Sequence, residues 1–336
     1  VGEAPACNTA FPVPLQRAFR AGAILPPAMM LSRRHVLLGA SGLTILGCSR
    51  KILRDFQAGR EIAQVLDAQG TRDGAGVSLK RALGGRALSY LDPFLMLDEF
   101  HTDNPNDYLA GFPDHPHRGF ETVTYMVHGA MEHRDTLGNQ GRLGPGAAQW
   151  MTAGHGIIHS EMPRQERGLM WGFQLWVNLP ASRKLIPPRY QDIPADRIAE
   201  VELEKARVRV VAGTAFGKTG PVSGIDVEPL YFDAALQPGA ELEQATPLTH
   251  NAFAYVTEGA VRMGPSGREV RAGQLAVFGP GDGVVLRGAA GGGRALVMAG
   301  RPLREPVARR GPFVMNTEDE LRQAFEDHRS GRLTVM

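Results

Sequence analysis

From Arg60 onward the chain alternates short apolar runs with Gly, Pro, Asp and Asn. Val123-Thr124-Tyr125-Met126-Val127, Leu175-Trp176-Val177 and Val208-Arg209-Val210-Val211 are rich in β-branched and aromatic residues, which suit a pleated, half-buried surface. Leu275-Ala276-Val277-Phe278 and Val284-Val285-Leu286 continue the series. Turn signals stand between them, at Gly144-Pro145-Gly146 and Gly279-Pro280-Gly281-Asp282-Gly283. Helical spacing emerges only near the end, where Asn316-Thr317-Glu318-Asp319-Glu320 caps a run with Leu321, Phe325 and His328 three or four apart. Many short strands and one late helix predict an all-β sandwich or barrel fold with a short C-terminal helix.

An internal repeat sets the domain count. Pro145-Gly146 with Gly154-His155-Gly156-Ile157-Ile158-His159 matches Ala272-Gly273 with Gly281-Asp282-Gly283-Val284-Val285-Leu286 at a constant separation of 127. Upstream, Tyr125 to Ala130 matches Tyr255 to Ala260 at a separation of 130, the difference being a loop deletion between matched strands. Two matches in order indicate two copies of one β-domain. The join is expected in the Pro-rich stretch from Ile186-Pro187-Pro188 to Ile193-Pro194. The expected division is a leader over 1–59, a first domain over 60–185, and a second over 186–336 that includes the helix.

The 336 residues are enough for two cores at roughly 100–200 residues per domain. Net charge is +2, but eight basic and two acidic side chains lie in residues 1–60, leaving 29 basic and 33 acidic in the body. A mildly acidic body argues against a non-specific grip on nucleic acid. Cys7 and Cys48 both lie in the leader, so the body holds no disulfide and no thiolate metal site. No apolar run reaches the ~18 residues of a bilayer-spanning helix.

The leader reads as a targeting segment. Ser32-Arg33-Arg34-His35-Val36-Leu37-Leu38 precedes a Gly-tempered apolar stretch, as in a twin-arginine export signal. Ile45-Leu46-Gly47-Cys48 resembles a lipoprotein cleavage box, although Leu46 is large for its position. A lipid on Cys48 would be the one route to membrane attachment. Met29 or Met30 would serve as the start, with residues 1–28 an upstream extension. The expected location is periplasmic or exported, and cytoplasmic if the leader does not function.

The first repeat carries two ligand pairs. His115-Pro116-His117 sets two imidazoles at i and i+2, on one face of a strand. His159-Ser160-Glu161 repeats the spacing. Two such strands would close a site of three nitrogens and one carboxylate, suited to Fe, Mn, Ni, Cu or Zn. The second repeat is an internal control. His159 and Glu161 become Leu286 and Gly288, and His115 and His117 become Ala245 and Pro247, while the turn glycines persist. A purely structural role for the imidazoles would have left polar groups in both copies.

These residues also carry a family resemblance. His115 to Thr122, Gln149 to Gly154, Ile158 to Pro163 and Gln174 to Pro180 resemble the pirins, a branch of the cupin superfamily. Tyr90 to Phe94 and Gly311 to Thr317 match as well, and the likeness covers about residues 60–330. It implies two tandem cupin barrels (double-stranded β-helix or jelly-roll), with iron only in the first, held by His115, His117, His159 and Glu161. It implies quercetin 2,3-dioxygenase-like activity on a flavonol-like aromatic substrate with dioxygen, Fe(II) as cofactor and Glu161 as the catalytic base. It equally implies a rival, a non-enzymatic regulatory binder that responds to iron oxidation state; cupins with similar ligands also include isomerases and lyases. Two barrels in one chain imitate a cupin dimer, so a monomer is expected. Glu121 shares strand parity with His115 and His117, and the general cupin motif often takes a carboxylate there. The pirin pattern takes Glu161, which leaves Glu121 as a support or salt-bridge partner. His155 is left unassigned, and His128 and His133 are expected to be structural. Phe94, Phe112, Met126, Met151 and Phe173 are candidates to face the cavity. The leader departs from the family, whose familiar members lack an export signal.

Overall fold

The computed structural model describes residues 56–335. The leader, with its Arg33-Arg34 pair, Cys7 and Cys48, lies outside the described residues. Among the described residues no helix is long and apolar enough to cross a membrane. The predicted runs all fall in strands: Phe120–His128, Met170–Asn178, Ala206–Ala212, Gln274–Phe278 and Gly283–Gly300. The helix spans Glu318–Arg329, and its N-terminus is closed by Thr317 and Glu320 in a reciprocal capping box.

The strands build two antiparallel barrels. In the first, a seven-stranded sheet containing Phe94–Thr102, Phe120–His128, Ala148–Thr152 and Met170–Asn178 faces a four-stranded sheet. That smaller sheet carries Phe112–His117 at its edge beside Ile157–Pro163, then Met131–Asp135 and Gln140–Leu143. Pro113 and Pro116 are tolerated in Phe112–His117 because an edge strand lacks one row of partners. The second barrel repeats the order within a nine-stranded sheet, with Asn251–Met263 in the place of Phe120–His128.

The larger sheet of the first barrel is buried on both faces, which explains the near-continuous apolar runs in its strands. Val123, Tyr125, Phe173, Leu175 and Leu97 point outward and pack with Tyr231, Phe253, Tyr255, Leu296 and Met298 in a core shared by both barrels. The alternate side chains point into the barrels. Inside the second barrel they are Val208, Phe232, Ala254, Val297 and Leu286, a filled aliphatic core. Inside the first they are polar at one end, and the chemistry sits there.

The chain crosses between barrels at both ends. Strand Ile62–Asp67 pairs with Gln274–Phe278 on the edge of the second barrel. Strand Arg189–Ile193 pairs with Ala148–Thr152 on the corresponding edge of the first. The boundary expected after residue 185 is therefore misplaced: residues 189–193 serve the first barrel and 62–67 the second. An alternating apolar pattern states that a strand has a buried face, not which of two similar edges it completes.

Candidate metal centre

His115 and His159 face each other across paired strands, with His117 two residues further along. One ring nitrogen from each of His115, His117 and His159 lies within 4.8 Å of the other two. His115 Nδ1 lies 2.9 Å from the Pro113 carbonyl and His117 Nδ1 3.4 Å from the Pro312 carbonyl. A carbonyl only accepts, so Nδ1 carries the proton in both rings and Nε2 keeps its lone pair. His117 Nε2 and both nitrogens of His159 are buried without a partner among the described residues. Such orphaned nitrogens are costly unless something absent from the polypeptide fills them. Burial, reinforced by the neighbouring imidazoles, holds His117 and His159 well below the ordinary histidine value. They are thus neutral, as metal coordination requires. The donor set fits a divalent metal ion.

Glu161 is buried in the wall of the same cavity but stands outside the three-histidine cluster. A register shift between His159 and Glu161 offsets it from the His115 strand. Its Oε1 accepts from Thr124 Oγ1 at 3.0 Å, and its Oε2 from Gln174 Nε2 at 2.8 Å. Gln174 is oriented in turn by Trp176, whose indole N–H donates to Gln174 Oε1 at 3.1 Å. Thr124 and Gln174 escaped the sequence reading, although the strand parity that buries Val123, Tyr125 and Phe173 outward sends both inward.

Glu121 does not join this site. Gly119 adopts φ +86°, and a Cβ there would collide with the Val314 carbonyl, so the residue must be glycine. The bend breaks the alternation carried from His115 and His117, and Glu121 emerges on the far face of the sheet. There it accepts from Thr152 Oγ1 at 2.6 Å, and its Oε2 has no partner. It supports no histidine and forms no ion pair among the described residues. Burial pushes its carboxyl up from 4.5 to about 7. Between those values the native chain holds a proton that the unfolded chain has released, so stability falls as pH rises across that window and stays reduced above it. Glu121→Gln is expected to stabilise the protein by about 3 kcal/mol at pH 8 and by much less at pH 5. Urea denaturation at the two pH values measures this; an equal effect at both would contradict it.

His133 is buried, stacked on Tyr190 at 5.1 Å, with Nε2 3.5 Å from Asp192 Oδ1. His128 is exposed, stacked over Trp171. His155 engages the fold through its backbone, donating to the Ile186 carbonyl and accepting from Arg118. Of the expected cavity residues only Phe112 lines it. Phe94 and Phe173 point into the shared inter-barrel core, while Met126 and Met151 are sealed in the barrel wall.

The cavity above the histidines measures about 750 Å³, within the range of small-molecule sites. Leu79, Met96, Phe100, Phe112, Met131 and Trp176 supply its apolar wall, with His115, His117, Glu161 and Gln174 at its polar end.

Two cupin barrels, one ready for a metal and the other filled with aliphatic side chains, define a bicupin protein. Residues 76–177 match the Pirin family model and residues 231–334 match the Pirin C-terminal cupin domain. The chain is 48% identical over 282 residues to a Pseudomonas aeruginosa protein named "Putative quercetin 2,3-dioxygenase", covering 82% of this chain and 99% of that one. Human pirin is 41% identical over 264 residues, covering 77% and 89%. A crystal structure of quercetin 2,3-dioxygenase from Acinetobacter baumannii superposes with a TM-score of 0.76 at 32% identity, covering 82% and 99%. The chain belongs to the pirin family.

Proposed function

We propose that this protein is an iron-dependent dioxygenase that opens flavonols, with His115, His117, His159 and Glu161 holding Fe(II) and Glu161 also acting as the general base. The observation that carries this reading is the set of three converging imidazoles, His117 and His159 with buried unfilled nitrogens, with His115 and His117 lining an aromatic- and thioether-walled cavity. Relatives and a solved structure named for quercetin 2,3-dioxygenase activity support it.

When bound, the metal would supply Lewis acidity toward a substrate hydroxyl and a path for electrons to dioxygen. The chain does the rest. Phe100, Phe112, Met96 and Met131 offer flat and deformable apolar contacts to a planar polyphenol and keep water from the floor. Thr124 and Gln174 hold the Glu161 carboxylate by one donor on each oxygen and so aim it. A 3-hydroxyl seated at the floor would pass its proton to that carboxylate.

The deciding experiment is metal analysis of anaerobically purified protein, followed by dioxygen uptake with a panel of flavonols. Uptake by the iron-loaded protein is expected. Glu161→Gln should retain some metal through the three imidazoles and lose about a hundredfold in turnover, the usual scale of a positioned base. Undiminished uptake by that variant would remove the base role. Bound iron with no uptake on any flavonol would overturn the enzymatic reading in favour of a metal-dependent regulatory binder.

A further inference from the structure

The first barrel's metal end is closed by a segment from the other end of the chain. After the second barrel, the polypeptide returns as strands Ala308–Arg310 and Phe313–Met315 and the helix Glu318–Arg329. Its contacts concentrate on the turn that follows His117. The Val314 N–H donates to the Arg118 carbonyl at 3.0 Å, and the Pro312 carbonyl faces His117 Nδ1. The Arg118 guanidinium, itself buried, donates to Asp327 Oδ2 at 2.7 Å and reaches the Leu333 carbonyl at 3.4 Å. Lys184 is only 1% exposed, and its ammonium donates to the Gly119 carbonyl and Asn178 Oδ1 at 2.7 Å and to the Val314 carbonyl at 3.0 Å. One cation therefore bolts the turn after His117 to the returning segment.

The same segment also reaches the strand that carries His159. A Cβ on Gly156 would strike the Leu333 carbonyl, and Ile158 packs against the cluster of Phe313, Leu321, Ala324 and Leu333. Arg309 lies over Trp176, 4.7 Å from the ring centroid, and Trp176 stands edge-on to His117. The second barrel supplies a comparison. Its repeat of Gly154–Gly156, Gly281–Gly283, is covered by the chain's other end, with the Asp282 carboxylate accepting from the Gln57 and Ala58 N–H groups. That cover holds a carboxylate by backbone donors and, among the described residues, hydrogen-bonds no histidine ring. Among the described residues, only on the first barrel does a cap set the tautomer of a histidine aimed at the site.

We propose that the segment Ala308–Leu333 is a working part of the metal centre, with Arg118, Lys184 and Asp327 acting as positioning residues that fix His117 and the approach to His159. This rests on the reading of the three histidines as a metal site. Metal ligands held by outer partners lose about 10–100-fold in affinity when those partners are removed. The test is Co(II) titration of the metal-free protein, following its visible ligand-field spectrum, for wild type, Asp327→Asn, Lys184→Met and Asp319→Asn. Asp319 lies on the same helix, exposed and, among the described residues, paired only with Arg322, and serves as the control. Asp327→Asn and Lys184→Met should each weaken Co(II) at least tenfold and alter its spectrum at temperatures where the variant is fully folded. Asp319→Asn should change neither. If Asp327→Asn fails to fold, Lys184→Met decides alone, because a methionine keeps the buried volume without the ammonium. Wild-type affinity and spectrum in the folded variants would overturn the proposal. Absence of any Co(II) signal in wild type would instead overturn the metal reading beneath it.

Discussion

His159→Leu is expected to lose metal affinity by well over a hundredfold while the apo protein folds as stably as wild type or more so. The substitution copies the second barrel, where Leu286 occupies the equivalent position inside a filled aliphatic core. In the first barrel His159 is 1% exposed, and neither ring nitrogen has a partner among the described residues. An imidazole in that state costs the apo fold desolvation that no hydrogen bond returns, and an apolar side chain of similar size removes the cost. For the metal, the same change deletes one of three converging nitrogens, a larger loss than the about 10–100-fold that follows removal of an outer partner. Metal content and thermal midpoint, each measured with and without added divalent metal, separate the two effects. Wild type should rise in midpoint with metal, because a ligand that binds only the folded state stabilises it by mass action. His159→Leu should not respond. A metal-dependent rise in the variant would show that these imidazoles are not the binding site.

The ligand histidines were legible because chemistry and repetition coincide on them. A His-x-His pair needs only local strand geometry to converge, and the repeat shows the same backbone built without the imidazoles. What the pattern could not convey is how elements far apart in sequence meet. The alternation linking His117 to Glu121 is interrupted at Gly119, where the backbone takes positive φ and the Val314 carbonyl leaves no room for a side chain. Sequence shows the glycine but not the carbonyl almost two hundred residues away. The exchanged edge strands are hidden for a similar reason, since Ile62–Asp67 and Arg189–Ile193 complete equivalent edges on sheets of the same design. Phe94 and Phe173 read as cavity residues until the second barrel is seen to bury the outer face of the first. Glu161 falls between these cases. Its residue type and spacing mark it, but the register shift that offsets it from the histidines belongs to the pairing of two strands.

The second large effect is expected at the interface between the barrels, from Asp233→Ala. Asp233 is 3% exposed, accepts from Tyr125 Oη of the first barrel at 2.8 Å, and receives Arg294 on both oxygens at 2.9 and 2.6 Å. The arrangement is reciprocal. Tyr255, which matches Tyr125 in the repeat, donates to buried Glu99 of the first barrel at 2.7 Å, and Glu99 also accepts from the Trp171 indole at 3.0 Å. Each barrel thus sends a tyrosine hydroxyl to a carboxylate of the other, with Arg294 lying over the Trp171 ring between the two pairs. Burial beside a carboxylate raises both phenols far above their ordinary value, so they remain donors throughout the range in which the protein is handled. Removing Asp233 leaves the Arg294 guanidinium largely buried beside Trp171, with only the exposed Glu258 as counter-charge, and deprives Tyr125 of its acceptor. Breaking a buried pair from one side costs about 3–5 kcal/mol, whereas losing one neutral donor to a charged acceptor costs about 1.5–3 kcal/mol. Asp233→Ala should therefore destabilise the protein toward urea more than Tyr125→Phe does. The double variant should fall short of the sum, because both substitutions remove the same contact. A loss below about 1 kcal/mol for Asp233→Ala would mean that water replaces the carboxylate at the interface and that this pair does not hold the barrels together.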